Sequence, residues 1–268
     1  MNAYKEILYP KTRIATLDVC EIGRKKHHIK ALLEFDITES RKAIKNYRHI
    51  SKSRISFTAW LIKIISKTIE EFPSAHAYLK NKRKAIIFDD IDISITVERE
   101  HAGELVPLPY VIRQTNKKDI LEISNEIFEA KNQKVSNEDI VLGQKKSKFS
   151  TNLYCSFPGF LRRFIWRYFL MYPKVAKKNM GSVLITSVGM MGKINGWFIH
   201  TSVHPISFGV GSIIKRPVVI DDKIEIREIL NMTVLIDHDV MDGAPMARFI
   251  TKLSKNIESG LGLTDYKI

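Results

Sequence analysis

The stretch Leu235-Ile236-Asp237-His238-Asp239-Val240-Met241-Asp242-Gly243-Ala244 decides how the rest of the chain is read. Before it, Ile224 to Ile236 is rich in β-branched and aliphatic residues, which predicts a strand. After it, Pro245 opens a pattern that places Met246, Phe249, Ile250, Leu253 and Ile257 on one helical face, closed by Gly260. A histidine therefore stands at the exit of a strand, with an Asp-Gly turn ahead of a helix. A neutral imidazole in that position can take a proton from a thiol or hydroxyl near neutral pH. Taken alone, the pattern also fits a loop histidine beside a solvated aspartate.

A second stretch narrows the choice. Gly181-Ser182-Val183-Leu184-Ile185-Thr186-Ser187-Val188-Gly189 reads as a short apolar strand that ends in two hydroxyl residues and a glycine turn, and Thr186 precedes His238 by 52 residues. A histidine can serve as a base that makes a nucleophile, and a hydroxyl as a donor that holds an oxyanion. The two stretches at this separation resemble the catalytic domain of the dihydrolipoamide acyltransferases, the acyl-transferring core of 2-oxo acid dehydrogenase complexes. The first is similar to their D-H-x-x-x-D-G motif, which chloramphenicol acetyltransferases share. The second is similar to the strand whose terminal Ser or Thr binds the tetrahedral intermediate. One departure shows at once: the acyltransferases usually carry Arg after the histidine, and this chain has Asp239.

The resemblance implies a site of His238, Thr186 and Asp242. His238 is the general base and Thr186 the oxyanion donor, with Ser187 in its place if the register slips by one. Asp242 is expected to act structurally, across a turn fixed by Gly243. Its expected partner is Arg24, because Arg24-Lys25-Lys26-His27 resembles the acetyltransferase stretch whose arginine pairs with the motif aspartate. The implied fold is α/β, an α+β two-layer sandwich with a chloramphenicol-acetyltransferase-like mixed sheet and helices on one face. CoA or acyl-CoA is the implied substrate, no metal is required, and a lipoyl-type carrier is supplied in trans. Similar proteins form trimers, in which the histidine of one subunit faces the hydroxyl of its neighbour across a channel.

The remaining chain follows the same order. Arg13 to Val19 reads as a first short strand and Ile29 to Ile37 as a second. Phe57, Trp60, Leu61, Ile64, Ile65, Thr68, Ile69 and Phe72 recur at helical spacing, and Pro73 stops that helix. Ile91, Ile93, Ile95 and Val97 alternate as a half-buried strand, and Leu105 to Ile112 continues as an edge strand because its prolines cannot donate to a central ladder. Asp119 to Lys134 reads as an amphipathic helix, and Pro205 to Gly211 with Arg216 to Val219 as a strand pair. The adjacent His27 and His28 lack a third metal ligand at a sensible spacing.

The stretch at 143–179 stands outside the resemblance, since the acyltransferases cross here by a much shorter loop. It mixes Phe149, Tyr154, Phe157, Phe160, Phe164, Trp166, Tyr168, Phe169 and Tyr172 with basic residues. Phe160, Leu161, Phe164, Ile165, Tyr168 and Phe169 share one helical face, and Arg162, Arg163 and Arg167 crowd another. The favoured expectation is a helix that packs this face on its own domain as a lid; a membrane-surface helix is the alternative.

Composition bounds the answer. The 268 residues read as one catalytic domain over 1–268, without a lipoyl domain, a subunit-binding domain or covalently bound lipoate. A hydrophobic content of 44% with 27% charged residues suits a globular protein. Two cysteines make no disulfide framework, and no apolar run is long enough to span a membrane, so a cytoplasmic location is expected. The net charge of +14 is concentrated: no acidic residue occurs between Asp139 and Asp221. Such a field attracts CoA phosphates, an acidic carrier or anionic lipid. No nucleic-acid module is recognisable, so nucleic acid is not an expected partner. Two other readings remain open at this point: a small-molecule O-acetyltransferase, and a catalytically silent trimeric scaffold.

Overall fold

A computed structural model describes residues 4–9, 13–51, 55–101, 104–132, 153–189 and 194–263. The first part of the basic aromatic stretch, including Phe149, lies outside the described residues. The elements run α1 (Arg13–Gly23), β1 (His28–Asp36), α2 (Thr38–Ser51), α3 (Phe57–Glu71), the hairpin β2 (Tyr78–Lys80) and β3 (Lys84–Ile86), β4 (Ile93–His101), β5 (Glu104–Ile112) and α4 (Ile120–Asn132). They continue with α5 (Gly159–Met171), α6 (Pro173–Met180), β6 (Val183–Ser187), β7 (Ile206–Ile220), β8 (Lys223–Asp237) and α7 (Gly243–Glu258).

Six strands form one sheet in the order β1-β8-β7-β6-β4-β5. β6 runs parallel to both β4 and β7, and every other pairing is antiparallel, so the sheet is mixed. β5 takes the edge, where Pro107 and Pro109 pair with Glu98 and Thr96. The prolines thus sit where no central ladder needs their missing N–H. The hydrophobic core lies between one face of this sheet and the helices. Trp60, Ile64, Ile65 and Ile69 of α3, Ile123 and Ile127 of α4, and Met246, Phe249, Leu253 and Ile257 of α7 meet Phe35, Ile93, Ile185, Phe208, Met232 and Val234 there.

α3 follows from its sequence in detail. Ser56 caps it by accepting a hydrogen bond from the Ala59 N–H at 3.0 Å, and Phe72-Pro73 ends it. In α7 the apolar face is buried as its spacing requires, and Gly260 takes φ +63° just beyond the end, a conformation natural to glycine.

Three elements differ from the sequence expectation. Arg13 to Val19 is not a strand but the first turns of α1. That helix buries Asp18, whose carboxylate accepts from Arg162 Nε at 2.8 Å and from the Tyr154 hydroxyl at 2.5 Å. Partners so distant in sequence leave no local signature. α2 was not expected; among its described side chains Ile44 is the one deeply buried hydrophobic residue. Residues 206–220 form a single long strand, not a pair, with an irregularity in its pairing between Val210 and Ile213.

Candidate active site

The motif loop leaves the sheet at Asp237, the last residue of β8, and ends where Asp242 caps α7. Its base is held by charge. Asp237 is 1% exposed and receives Lys26 Nζ at 2.6 Å. The backbone N–H of Asp237 donates to Pro205 O and that of His238 to His27 O. Asp239, the residue that departs from the family pattern, meets His27 Nδ1 at 2.8 Å, and this bond raises the His27 pKa. Segment 26–28 therefore cradles the motif on one side.

His238 itself is half exposed, and its Nδ1 lies 3.9 Å from Asp242 Oδ1, longer than a hydrogen bond. The Asp242 side chain is 86% exposed and makes no hydrogen bond to the helix it caps. Arg24 does not reach it. α1 ends in a turn in which the backbone N–H groups of Arg24, Lys25 and Lys26 donate to the carbonyls of Cys20, Ile22 and Gly23. Gly23 packs so closely on Ser202 that a Cβ would stand 2.7 Å from its carbonyl oxygen. Pinned there, the turn sends Arg24 into solvent and Lys26 inward. The buried carboxylate of the motif is thus Asp237 and its cation Lys26. Among the described residues no ion pair joins Arg24 to Asp242. Gly243 opens α7 with free space where a Cβ would be, so none of the described residues demands a glycine there.

Thr186 and Ser187 end β6, well inside the sheet. Val183 and Ile185 belong to the core, so alternation puts Leu184 and Thr186 on the face away from the helices and Ser187 on the helix side. Ser187 lines a pocket of about 350 Å³ together with Gly189, Val210, Phe57, Thr58 and three cations of α2, Arg41, Lys45 and Arg48. Sequence reasoning missed these three because α2 was not legible as a helix.

On the face that carries Thr186, the segment 194–204 covers the sheet. Trp197 Nε1 donates to Leu33 O at 2.9 Å, and His200 Nε2 meets Ser207 Oγ at 2.9 Å. The His200 ring lies over Gly209, where a Cβ would come within 2.8 Å of Nδ1. Nearer the motif, His204 bonds the Met180 carbonyl through Nε2 at 2.9 Å, and its own carbonyl meets His28 Nε2. Burial holds both His200 and His204 down at about 4. Among the described residues no group of three or more His, Cys, Asp or Glu could hold a metal.

The structure does not bring His238 and Thr186 together within one chain. The row through Thr186 crosses β7 at Gly209 and β8 at Thr233, and His238 stands five residues beyond Thr233. With about 3.3 Å per residue along a strand and about 4.8 Å between strands, the two positions are roughly 19 Å apart. Thr186 lies in the interior of the sheet, and His238 stands beyond the end of β8.

A mixed sheet covered on one face by helices defines the class. Its architecture is that of chloramphenicol acetyltransferase, a solved structure at TM-score 0.51 and 11% identity that covers 93% of this chain and 96% of that one. The model of the 2-oxoacid dehydrogenases acyltransferase (catalytic domain) matches residues 24–144 and 175–263, and the chain belongs to that family. The match passes over 145–174, the greater part of the basic aromatic stretch.

The dihydrolipoyllysine-residue acetyltransferase component of the pyruvate dehydrogenase complex from Rickettsia felis is 28% identical over 216 residues, which is 80% of this chain and 43% of that protein. The chain spans less than half the length of the curated relatives it matches. The cubic core of a pyruvate dehydrogenase multienzyme complex aligns at TM-score 0.69 and 18% identity, over 98% of this chain and 94% of that one. Dihydrolipoamide acetyltransferase from Azotobacter vinelandii aligns at TM-score 0.69 and 17% identity over the same shares; that structure addresses the roles of a serine, a histidine and an asparagine in its catalytic mechanism.

Proposed function

We propose that this chain transfers an acyl group between CoA and a thiol acceptor of the lipoyl type, carried in trans, at a site that two copies of the chain build together. The observation that carries the proposal is the separation of the two half-sites. The chain belongs to an acyltransferase family and keeps a hydroxyl residue, a histidine and a polar residue spaced by 52 and four positions, as are the serine, histidine and asparagine of the Azotobacter enzyme. Within one chain those residues lie too far apart to act on one carbonyl, and a neighbouring copy can supply the missing half. Assembly as a trimer, and of trimers into a larger core such as the cubic one, follows from this reading.

In the proposed reaction His238 takes the proton from the acceptor thiol. The thiolate sulfur attacks the acyl carbonyl carbon of acyl-CoA, and the Thr186 hydroxyl of the adjacent copy donates to the oxyanion. Collapse of the tetrahedral intermediate breaks the bond to the CoA sulfur, and the proton on His238 returns to that leaving thiolate. The transfer is direct and the chain forms no acyl-enzyme. The pocket beside Ser187, rimmed by Arg41, Lys45 and Arg48, supports a phosphate-bearing ligand such as CoA. Asp242, loosely placed beside His238, orients the imidazole in this reading. In domain terms the acyltransferase domain fills the chain, residues 143–179 are an addition to it, and its place is the cytoplasm.

The test is to incubate the purified protein with a panel of acyl-CoAs and dihydrolipoamide and to follow acylated thiol by mass spectrometry. Acyl transfer is expected, and His238→Ala should lower turnover by about 10²–10⁴-fold without changing the assembly state. Absence of transfer to any thiol, or near wild-type transfer by His238→Ala, contradicts the proposal.

A further inference from the structure

α5 is apolar on nearly every side, and the structure shows which side is satisfied. Arg162 points inward to Asp18, with side chains 16% and 4% exposed, and Trp166 Nε1 donates to the Tyr154 hydroxyl at 2.8 Å. These two anchors fix the helix about its axis. The lid expectation fails on this point, because most of the face it needed is turned to solvent. Phe160 is 68% exposed, Phe164 65%, Tyr168 55% and Met171 53%, and Val175 of α6 extends the stripe. Rolling the helix to hide these rings would strand the buried Asp18.

Charge surrounds the stripe. Arg167, Lys174 and Lys178 are exposed and Arg163 leans on Glu21 at 3.6 Å, while residues 140–220 contain no acid. Beside α6 lies an open pocket of about 650 Å³ lined by Phe88, Asp92, Arg113, Lys174, Lys177 and Lys178. Asp92 is its one carboxylate, and it is already shared by Arg113 at 3.1 Å and Lys177 at 2.9 Å, so the pocket keeps a net positive charge.

We propose that the outer face of α5, with this lysine-rimmed pocket, docks the protein on an anionic lipid bilayer. Exposed aromatic and Met side chains in a row, bordered by Arg and Lys on helices that carry no acid of their own, are the composition of a helix that lies in a membrane interface. The rings enter the acyl boundary and the pocket takes a headgroup phosphate. A second copy of the chain is the weaker occupant, since the stripe falls in the segment that the family model passes over and so outside the shared core. The inference stands apart from the acyl-transfer reading, because flotation and turnover are measured separately.

The test is flotation of the intact protein with vesicles of phosphatidylcholine alone or mixed with phosphatidylglycerol. The protein should float with the anionic vesicles at low salt, and the floating fraction should fall as salt is added. Phe164→Ser with Tyr168→Ser should cut that fraction about tenfold or more through lost apolar burial. Lys174→Gln with Lys178→Gln should remove the preference for anionic vesicles. Protein that stays at the bottom, or ring variants that float like wild type, overturns the proposal. So does a change of oligomeric state in the ring variants without lipid, which assigns the stripe to a second copy. Should the ring variants fail to fold, the dependence of the intact protein on lipid charge and salt still decides.

Discussion

The interior of the central sheet and the loop beyond β8 carry the two halves of the proposed site, and they are built by different means. In the interior the proposed donor, the Thr186 hydroxyl, belongs to β6, which is laced by parallel pairing to β4 and β7 and backed by the core. A donor that must meet an oxyanion at a fixed point sits well on such a strand. At the His238 end the imidazole stands on a loop near the surface, half exposed, and its position depends on charged contacts beneath it: Lys26 on Asp237 and His27 on Asp239. One half is held by packing and the other by charged contacts. The difference teaches that the base half should be open to perturbation through charge and pH while the donor half resists both.

Removing Lys26 attacks the base half most directly. Asp237 would be left buried without its cation, and breaking a buried pair costs 3–5 kcal/mol; with Lys26 21% exposed, about 3 kcal/mol is expected. Lys26→Ala should therefore melt well below wild type and lose turnover. Arg24→Ala, two residues away but in solvent, should change stability by about 0.5 kcal/mol or less. Thermal unfolding of the two variants side by side checks this, and a larger loss in Arg24→Ala would restore Arg24 as the partner of the motif carboxylate.

A pH series probes the same end more gently. Burial holds His204 at about 4, below the value near 6.5 of an unfolded histidine. The unfolded chain then binds more protons between these values, so the stability is present above about pH 6.5 and is lost as pH falls toward 4. Melting temperature should drop from pH 7 to pH 5, and the drop should be shallower in His204→Asn. An equally steep drop in that variant would mean that other groups carry the dependence.

Much of this fold was legible because its helices are written in apolar period. α3 and α7 bury the residues their spacing names, and the prolines of β5 predict its place at the edge. α1 and the Lys26–Asp237 pair were not legible, since each depends on a charge partner far away in sequence. In α5 periodicity identified the helix and not its orientation. Its rings and arginines alternate around the axis, and the inward side was decided by Asp18, a residue in a different helix. Likewise Thr186 and His238 could be read in the sequence as candidates for the two halves of the proposed site. Their separation could not, because it is a property of strand order and register.

That separation is the central claim, and mixing subunits tests it most directly. Thr186→Ala alone should lose on the order of 10²-fold in turnover, and His238→Ala at least as much. Unfolded together in equal amounts and refolded, the two variants should form hybrid assemblies. In a symmetric ring with the site between neighbours, about a quarter of the sites would then pair an intact His238 with an intact Thr186, and activity should recover to about that fraction of wild type. If the hybrids stay as inactive as the separate variants, both residues act within one chain and the account of a shared site is wrong.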